Sequence, residues 1–314
     1  MALIRRLPVE PNLNFMGRRA LFLLVALAIV VASAGLFLTK GLNLGVDFRG
    51  GILIEVRTPQ PADLGQLRDR LSSLGIGDVT LQQFGEPTDV LINISRPEGD
   101  ESEQIHVIQQ VMEALGPGVE SRRQEYVGPK IGDELKEAGF LATMLAMAAI
   151  GIYIWFRFEW QFGVAALIAL LHDVIATIGF YSLTQIEFNL ATLAAVLTIA
   201  GYSINDTVVI FDRVRETLRR YKKLPLVGLL NRAINTTLSR TILTSFTTLL
   251  ALGALFFFGG EVIRGFTAGL IWGVVIGTYS SFGLAVPLLS YIGLRRGGED
   301  DAEPVAAGAA KASS

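Results

Sequence analysis

The sequence predicts a polytopic α-helical membrane protein with six spans and one small α+β domain outside the bilayer. Of the 314 residues, 51% are hydrophobic and only 18% are charged, and the mean hydropathy is +0.48. An ordinary soluble domain carries about 25% charged residues. Six stretches are long and apolar enough to cross a bilayer, which takes about 20 residues. One long polar segment separates the first stretch from the second.

Composition excludes several classes of function. The formal net charge is −2 and the chain has no cysteine. Binding of nucleic acid requires a strongly basic face, so it is not expected. Disulfides and thiolate metal sites are excluded, and the two histidines are too far apart in sequence to favour a histidine metal site. We expect no cofactor other than protons as a coupling ion.

The N-terminal segment, residues 1–19, is short and basic, and residues 20–38 form the first predicted span. A cleavable signal peptide is the alternative, because Ala32-Ser33-Ala34 resembles a cleavage site. The apolar run continues to Leu38 and is longer than a usual signal-peptide core, which favours an uncleaved helix. The arginines before it favour a cytoplasmic N-terminus.

The polar segment, residues 39–137, is predicted to be a ferredoxin-like βαββαβ domain. Its strands are predicted at 50–58, 78–84, 89–95 and 119–127, and its helices at 61–74 and 101–115. The domain follows the first span of a chain that starts inside, so it lies on the periplasmic side. It shows no catalytic constellation, and His106 is interpreted as a solvated histidine.

Residues 138–296 hold the other five predicted spans. These lie at about 138–156, 162–183, 188–211, 241–258 and 266–294, with 224–239 as an interfacial helix before the fifth. Most arginines and lysines between spans fall on the side of the N-terminus, whereas the opposite short loops hold only Arg264. Both termini are therefore predicted in the cytoplasm of a cell with an inner membrane. Residues 297–314 are predicted to be a disordered tail.

Asp206 lies within the fourth predicted span, several residues before the charged exit that begins at Asp212. An ionised carboxylate in hydrocarbon is costly and must face a partner or water. Arg240 begins the fifth span and can reach a similar depth. We expect Asp206 to carry protons and Arg240 to act as its electrostatic switch, with Asn205 and Thr244 hydrating the site. A static buried ion pair between the two helices is the alternative.

Two further intramembrane features carry open alternatives. His172 and Asp173 can join a proton relay or can hold the third span against the fourth. An aspartyl intramembrane protease is a further alternative, and it would need two carboxylates that share a proton. The chain lacks the Gly-x-Gly-Asp motif of such proteases, and the positive charge of Arg240 would oppose the sharing of a proton. The last span carries small residues every four positions, which predicts a packing seam inside the chain or toward a partner. The seam comprises Gly265, Gly269, Gly273 and Gly277.

Three motifs in order resemble one known family. The run 45–51, Gly-Val-Asp-Phe-Arg-Gly-Gly, is similar to the signature of the SecD/SecF family of protein-export subunits. The runs 201–216 and 240–245 resemble its fourth-span and fifth-span motifs, and 127–129 also fits. The resemblance covers about residues 18–296, and the chain length fits the separate shorter member of the family.

The resemblance implies one six-span half of a proton-driven machine of the resistance-nodulation-division superfamily. SecD is the implied partner, and the SecYEG channel and YajC are implied companions. The implied role is late export, after SecA threads the preprotein. Asp206 and Arg240 would belong to the proton path, and Asp47 to a site near the outer membrane face.

The glycines of the first motif admit a mechanical role. Gly45, Gly50 and Gly51 can give the hinge freedom where the chain enters the first strand; an ordinary tight connection is the alternative. Asp47 and Arg49 would then be interfacial caps or anchors. A stand-alone exporter of small molecules or lipids, and a structural scaffold of a membrane complex, are the competing functions.

Overall fold

The computed structural model describes residues 12–83, 85–95 and 101–294, which form a helical bundle and a small sheet domain. Six of the described helices are long and apolar enough to span a membrane, which confirms the predicted fold class. In chain order the elements are α1 (Arg19–Lys40), α2 (Val46–Arg49), β1 (Gly51–Arg57), α3 (Leu64–Ser72), β2 (Asp78–Gln83), β3 (Asp89–Ser95), α4 (Glu101–Leu115), β4 (Glu120–Val127), α5 (Pro129–Arg157), α6 (Trp160–Thr184), α7 (Leu190–Arg220), α8 (Leu226–Phe258), α9 (Arg264–Ser280) and α10 (Val286–Ile292). The predicted tail lies outside the described residues, as do residues 1–11.

Three spanning helices extend nine or more residues beyond their predicted bounds. Helix α5 begins at Pro129, nine residues before the predicted 138, with proline at its first position, where its missing N–H costs nothing. Helix α7 continues from the predicted 211 to Arg220. The predicted interfacial segment 224–239 and the fifth span form one uninterrupted helix, α8.

The bundle has an inner and an outer set of helices. Of the most apolar stretch of each span, 67% is buried in the α9–α10 span, 56% in α6 and 44% in α7. The corresponding share is 17% in α5 and 11% in both α1 and α8. Helices α6, α7 and α9 therefore form the core, and the other three offer broad apolar faces to lipid or to another chain.

The small residues of α9 allow the core helices to approach closely. A Cβ added at Gly273 would overlap Ile199 of α7, and one at Gly269 would overlap Tyr181 of α6. The predicted seam thus faces neighbours within the chain. Helix α9 runs through a π-helical turn, Ser281–Ala285, into α10, and such turns often occur at functional sites.

The small sheet domain has the predicted βαββαβ order. Its sheet runs β2-β3-β1-β4 with every neighbouring pair antiparallel. Isoleucine and valine side chains on one face of β1 and β3 pack against α3 and α4, as their alternation predicts. These side chains are Ile52, Ile54, Val56, Val90, Ile92 and Ile94. Leu53 and Glu55, on the opposite face of β1, are also buried.

Candidate functional site

Asp206 faces the interior of the bundle from the middle of α7. Its side chain is buried, and its Oδ2 has no hydrogen-bond partner among the described residues. Lone buried polar atoms are rare, because desolvation without a partner costs free energy. A proton or water at this oxygen would offset that cost. A buried carboxyl group with no hydrogen-bond partner at this oxygen among the described residues is a candidate for reversible protonation.

Arg240 lies close enough to Asp206 for a Coulombic interaction, yet the ion pairs of the described residues include neither side chain. Asp206 is 16 residues from the outer end of α7, and Arg240 is 18 residues from the outer end of α8. At 1.5 Å per residue these separations are about 24 and 27 Å. The two side chains thus reach similar depths, as the sequence predicts.

Asn205 and Thr244 do not hydrate Asp206 directly in this structure. Asn205 is exposed on the outward side of α7, because adjacent helical residues point about 100° apart. The hydroxyl of Thr244 donates to the backbone oxygens of Arg240 and Thr241, within its own helix. Oγ1 of Thr241 is the buried hydroxyl of this turn, and it has no hydrogen-bond partner among the described residues.

A line of polar groups runs along the outward faces of α7 and α8. We call it the polar stripe; its members are exposed or half-exposed. They are Thr198, Tyr202 and Asn205 of α7 and Arg240, Thr244 and Thr247 of α8. Tyr202 and Thr248 connect the two helices through a hydroxyl pair at 3.4 Å. A polar face of this kind is less costly against protein or water than against lipid.

Asp173 lies at the junction of three core helices. Its carboxylate accepts hydrogen bonds from Ser203 of α7 and from Ser280 of α9, the latter at 2.7 Å. His172 Nδ1 lies 2.8 Å from the other carboxylate oxygen. Because Asp173 and His172 are both buried, these bonds connect α6, α7 and α9 in the interior of the bundle.

The Asp173 cluster is continuous with the Asp206 site along α7. Ser203 precedes Asp206 by three residues, which places both on neighbouring positions of one helix face. Ser280 immediately precedes the π-helical turn of α9. Nε2 of His172 is buried and has no hydrogen-bond partner within the described ranges. The contacts are compatible with helix packing and with a relay.

The first motif binds the outer end of α7. After α1 the chain forms the short helix α2, and Oδ2 of Asp47 accepts a hydrogen bond of 2.8 Å from the N–H of Leu190. The N–H of Gly45 donates to Phe188, and the N–H of Phe188 donates to Asn43. This segment is therefore tied to the loop between α6 and α7.

Two glycines of the motif are required by their backbone conformation. Gly50 has a φ of 71° and Gly51 has a φ of 139°, in the region that other residues rarely adopt. Gly45 has an ordinary φ of −72°, but an added Cβ would overlap the carboxylate of Glu187. Arg49 is exposed. Close packing as well as conformational freedom explains these glycines.

Glu187 is a site residue that no pattern in the sequence predicts. It lies in the loop between α6 and α7, where burial and the negative charge of Asp47 raise its pKa. It lines a cleft of about 600 Å³ between the open face of the sheet and the outer ends of α7, α8 and α9. Asp47, Glu55 and Glu125 also line the cleft.

Comparison with known proteins identifies the same regions. Residues 107–295 match the family described as "Protein export membrane protein SecD/SecF, C-terminal". Residues 35–62 match the "SecD/SecF GG Motif". The second match includes the segment that caps α7, and the first includes all five spans from α5 onward.

Relatives of similar length match along nearly their whole sequence. A protein translocase subunit SecF of Rickettsia bellii is 46% identical over 292 residues, covering 91% of this chain and 95% of that protein. One from Magnetococcus marinus is 48% identical over 283 residues, covering 88% and 91%.

Two solved structures show the same arrangement. The crystal structure of SecDF, a translocon-associated membrane protein from Thermus thermophilus, superposes with a TM-score of 0.82 at 36% identity. The match covers 91% of this chain and 39% of that one. SecDF in a "Super-membrane-facing form" gives a TM-score of 0.66, also at 36% identity. The chain thus spans about two fifths of these larger proteins.

Proposed function

The chain belongs to the SecD/SecF family of protein export membrane proteins, and from this premise we propose that it uses the proton gradient to complete preprotein translocation. It acts with SecD in the inner membrane, after the ATP-driven step of SecA, and both its termini are cytoplasmic. SecYEG and YajC are its further partners.

The single observation that carries the proton-coupling proposal is the unpaired buried oxygen of Asp206. Arg240 interacts with Asp206 through space without forming an ion pair at 4.0 Å or less. A static pair that holds two helices in register would need direct contact. An arginine at longer range can instead favour the charged carboxylate strongly when the helices approach and weakly when they separate.

The polar stripe supports SecD as a partner. Arg240 and Asn205 are exposed in the single chain, and a charged residue near the centre of a bilayer costs at least about 2.5–3.5 kcal/mol against lipid. A second six-span half on this surface would remove that cost. The 39% coverage of SecDF leaves room for such a half in the larger protein.

Helix α7 provides a route from the proton site to the external domain. Asp206 lies on α7, and the first residue of the same helix is bound by Asp47. Asp47 precedes β1, the central strand of the sheet, by four residues. A displacement of α7 would therefore move the segment that leads into β1. In this proposal the sheet domain then binds and releases the preprotein.

The energy available limits how the cycle operates. One charge that crosses 100 mV yields about 2.3 kcal/mol. Switching a two-state domain from 1:99 to 99:1 takes about 5.5 kcal/mol. We expect a full switch to use more than one proton, or a pH gradient in addition to the voltage.

Release of a preprotein from inner-membrane vesicles tests the proposal. Vesicles would carry SecD and either the wild-type chain, Asp206→Asn or the control Asp133→Asn, which alters an exposed aspartate of α5. An imposed proton gradient should accelerate release in the wild type and in the control but not in Asp206→Asn. Equal acceleration in all three would remove the proton-motor assignment and favour a scaffold.

A further inference from the structure

A basic cavity lies at the end of the bundle opposite the external domain. It has a volume of about 620 Å³ and is formed where α5 ends and α7 leaves the bundle. We call it the arginine cavity; it is lined by Arg157, Asp212, Arg215, Glu216, Arg219 and Arg220. Four positive and two negative side chains give its lining a net charge of +2.

The two acidic side chains are already engaged. Asp212 accepts hydrogen bonds from Nη2 of Arg157 at 2.8 and 2.9 Å. Glu216 accepts one at 2.6 Å from Arg213, which does not line the cavity. Arg215, Arg219 and Arg220 form no ion pair within the part of the chain that the structure describes. Their charges remain available to an anion.

Aromatic rings lie beside three of the four cavity arginines without neutralising them, while Arg219 has no such ring contact among the described residues. Arg157 and Arg215 lie over the buried ring of Phe158, with Cζ 4.9 and 5.5 Å from its centroid. Arg220 lies over Tyr221 at 5.6 Å. A cation–π contact fixes the position of a cation and leaves most of its hydrogen-bond donors free, although Nη1 of Arg215 also donates to the backbone oxygen of Arg157 at 3.4 Å. The cavity is therefore preorganised for an anionic group.

The surroundings of the cavity favour a lipid over a soluble anion. Trp155 and Trp160, on either side of Arg157, are 64% and 52% exposed, and Phe156 is 87% exposed. Exposed tryptophans at the ends of spanning helices mark the level of the lipid headgroups. A lipid whose anionic headgroup is bound in the cavity would have its acyl chains at the level of these rings.

We propose that the arginine cavity binds the phosphate headgroup of an anionic phospholipid. Arg215, Arg219 and Arg220 donate charge-assisted hydrogen bonds to its oxygens, and its acyl chains extend into the bilayer at the level of the exposed Trp155 and Trp160. Basic pockets between spanning helices on the cytoplasmic side are suited to such headgroups. The lining contains none of the residues assigned to the proton path, although Asp212 follows Asp206 by six residues, about 9 Å along α7.

Native mass spectrometry of the whole chain in detergent tests the proposal. Phosphatidylglycerol and phosphatidylcholine of the same chain length are titrated onto the wild type, Arg219→Gln and Arg215→Gln/Arg219→Gln. The control Lys222→Gln/Lys223→Gln removes the same charge just beyond the cavity. Arg219 is exposed and has no ion pair among the described residues, so its single variant should fold.

We expect the wild type to bind phosphatidylglycerol about tenfold more tightly than phosphatidylcholine. Arg219→Gln should lose about threefold of this preference, the double arginine variant most of it, and the lysine control less than twofold. Equal binding of the two lipids, or an equal loss in the lysine control, would overturn the proposal. Displacement by glycerol phosphate at the lipid's concentration would show a soluble phosphate site and would also overturn it.

Discussion

Oδ2 of Asp47 accepts a hydrogen bond of 2.8 Å from the backbone N–H of Leu190, although 142 residues separate the two in sequence. Helix α7 thus has two caps at its outer end. Its own cap is Asn189, which exchanges hydrogen bonds with Thr192. The second cap comes from the segment that leads into the external domain, so helix and domain are physically connected.

Replacement of Asp47 should weaken this connection. Loss of a capping side chain costs about 0.5–2 kcal/mol, so Asp47→Ala should accelerate hydrogen exchange at the first turn of α7 by about 2- to 30-fold. Asp47→Asn retains an acceptor and should have a smaller effect. Exchange would be followed by mass spectrometry on the whole chain. Unchanged exchange in Asp47→Ala would show that Asn189 alone caps the helix.

The loop that carries Glu187 should loosen as the pH rises. Burial and the charge of Asp47 raise the pKa of Glu187 above its ordinary value of 4.5. The folded loop therefore holds a proton that the open loop releases, and its stability falls as the pH rises from 4.5 through the folded pKa. The protected amide of Phe188, bonded to Asn43 at 2.7 Å, reports this opening.

Exchange at Phe188, corrected for its intrinsic dependence on pH, should increase over that window in the wild type. Glu187→Gln cannot ionise, so its corrected exchange should stay flat. The same slope in both proteins would assign the pH dependence to a group other than Glu187.

The small residues of α9 should be intolerant of added volume. A Cβ at Gly273 would overlap Ile199, whereas one at Gly163 of α6 would meet nothing within 4 Å. Overpacking costs about 1–3 kcal/mol, but Gly→Ala in an open helical site gains up to about 1 kcal/mol. Thermal unfolding in detergent should show a lower midpoint for Gly273→Ala and no loss for Gly163→Ala. Equal unfolding midpoints for the two variants would show that α9 and α7 are not closely packed at Gly273.

The hydrogen bonds of Asp173 should stabilise the packing of α6, α7 and α9. Asp173→Asn replaces one charged acceptor oxygen with an NH2 group and so weakens the charge-assisted hydrogen bonds of the cluster, which costs about 1–3 kcal/mol. We expect a lower unfolding midpoint together with gradient-dependent preprotein release close to that of the wild type. Loss of release with an unchanged midpoint would instead assign Asp173 to the proton relay. Ser280→Ala removes one of its donors and should lower the midpoint less.

The sequence predicts those features that depend on local periodicity. Alternation along β1 and β3 identifies the buried face of the sheet, and apolar length identifies the spans. The depth of Asp206 and Arg240 follows from counting residues along helices. Asn205 shows the limit of such reasoning, because a neighbour in sequence points 100° away on a helix and is exposed.

Long-range hydrogen bonds could not be predicted in this way. Ser203 and Ser280 are ordinary small residues in apolar helices, and only tertiary packing brings them to Asp173. The cap from Asp47 depends on how α2 sits beside α5, where Gly132 allows the backbone of Gly50 to approach. No spacing in one chain reports that contact.

Proton flux tests the role of Asp206 most directly. Vesicles that contain the chain with SecD, and a pH-sensitive dye inside, would receive an acid pulse on the outer side. We predict that the interior acidifies faster with the wild-type chain than with Asp206→Asn, while Asp133→Asn matches the wild type. Identical acidification rates for the wild type and Asp206→Asn would contradict proton transfer through this carboxyl group.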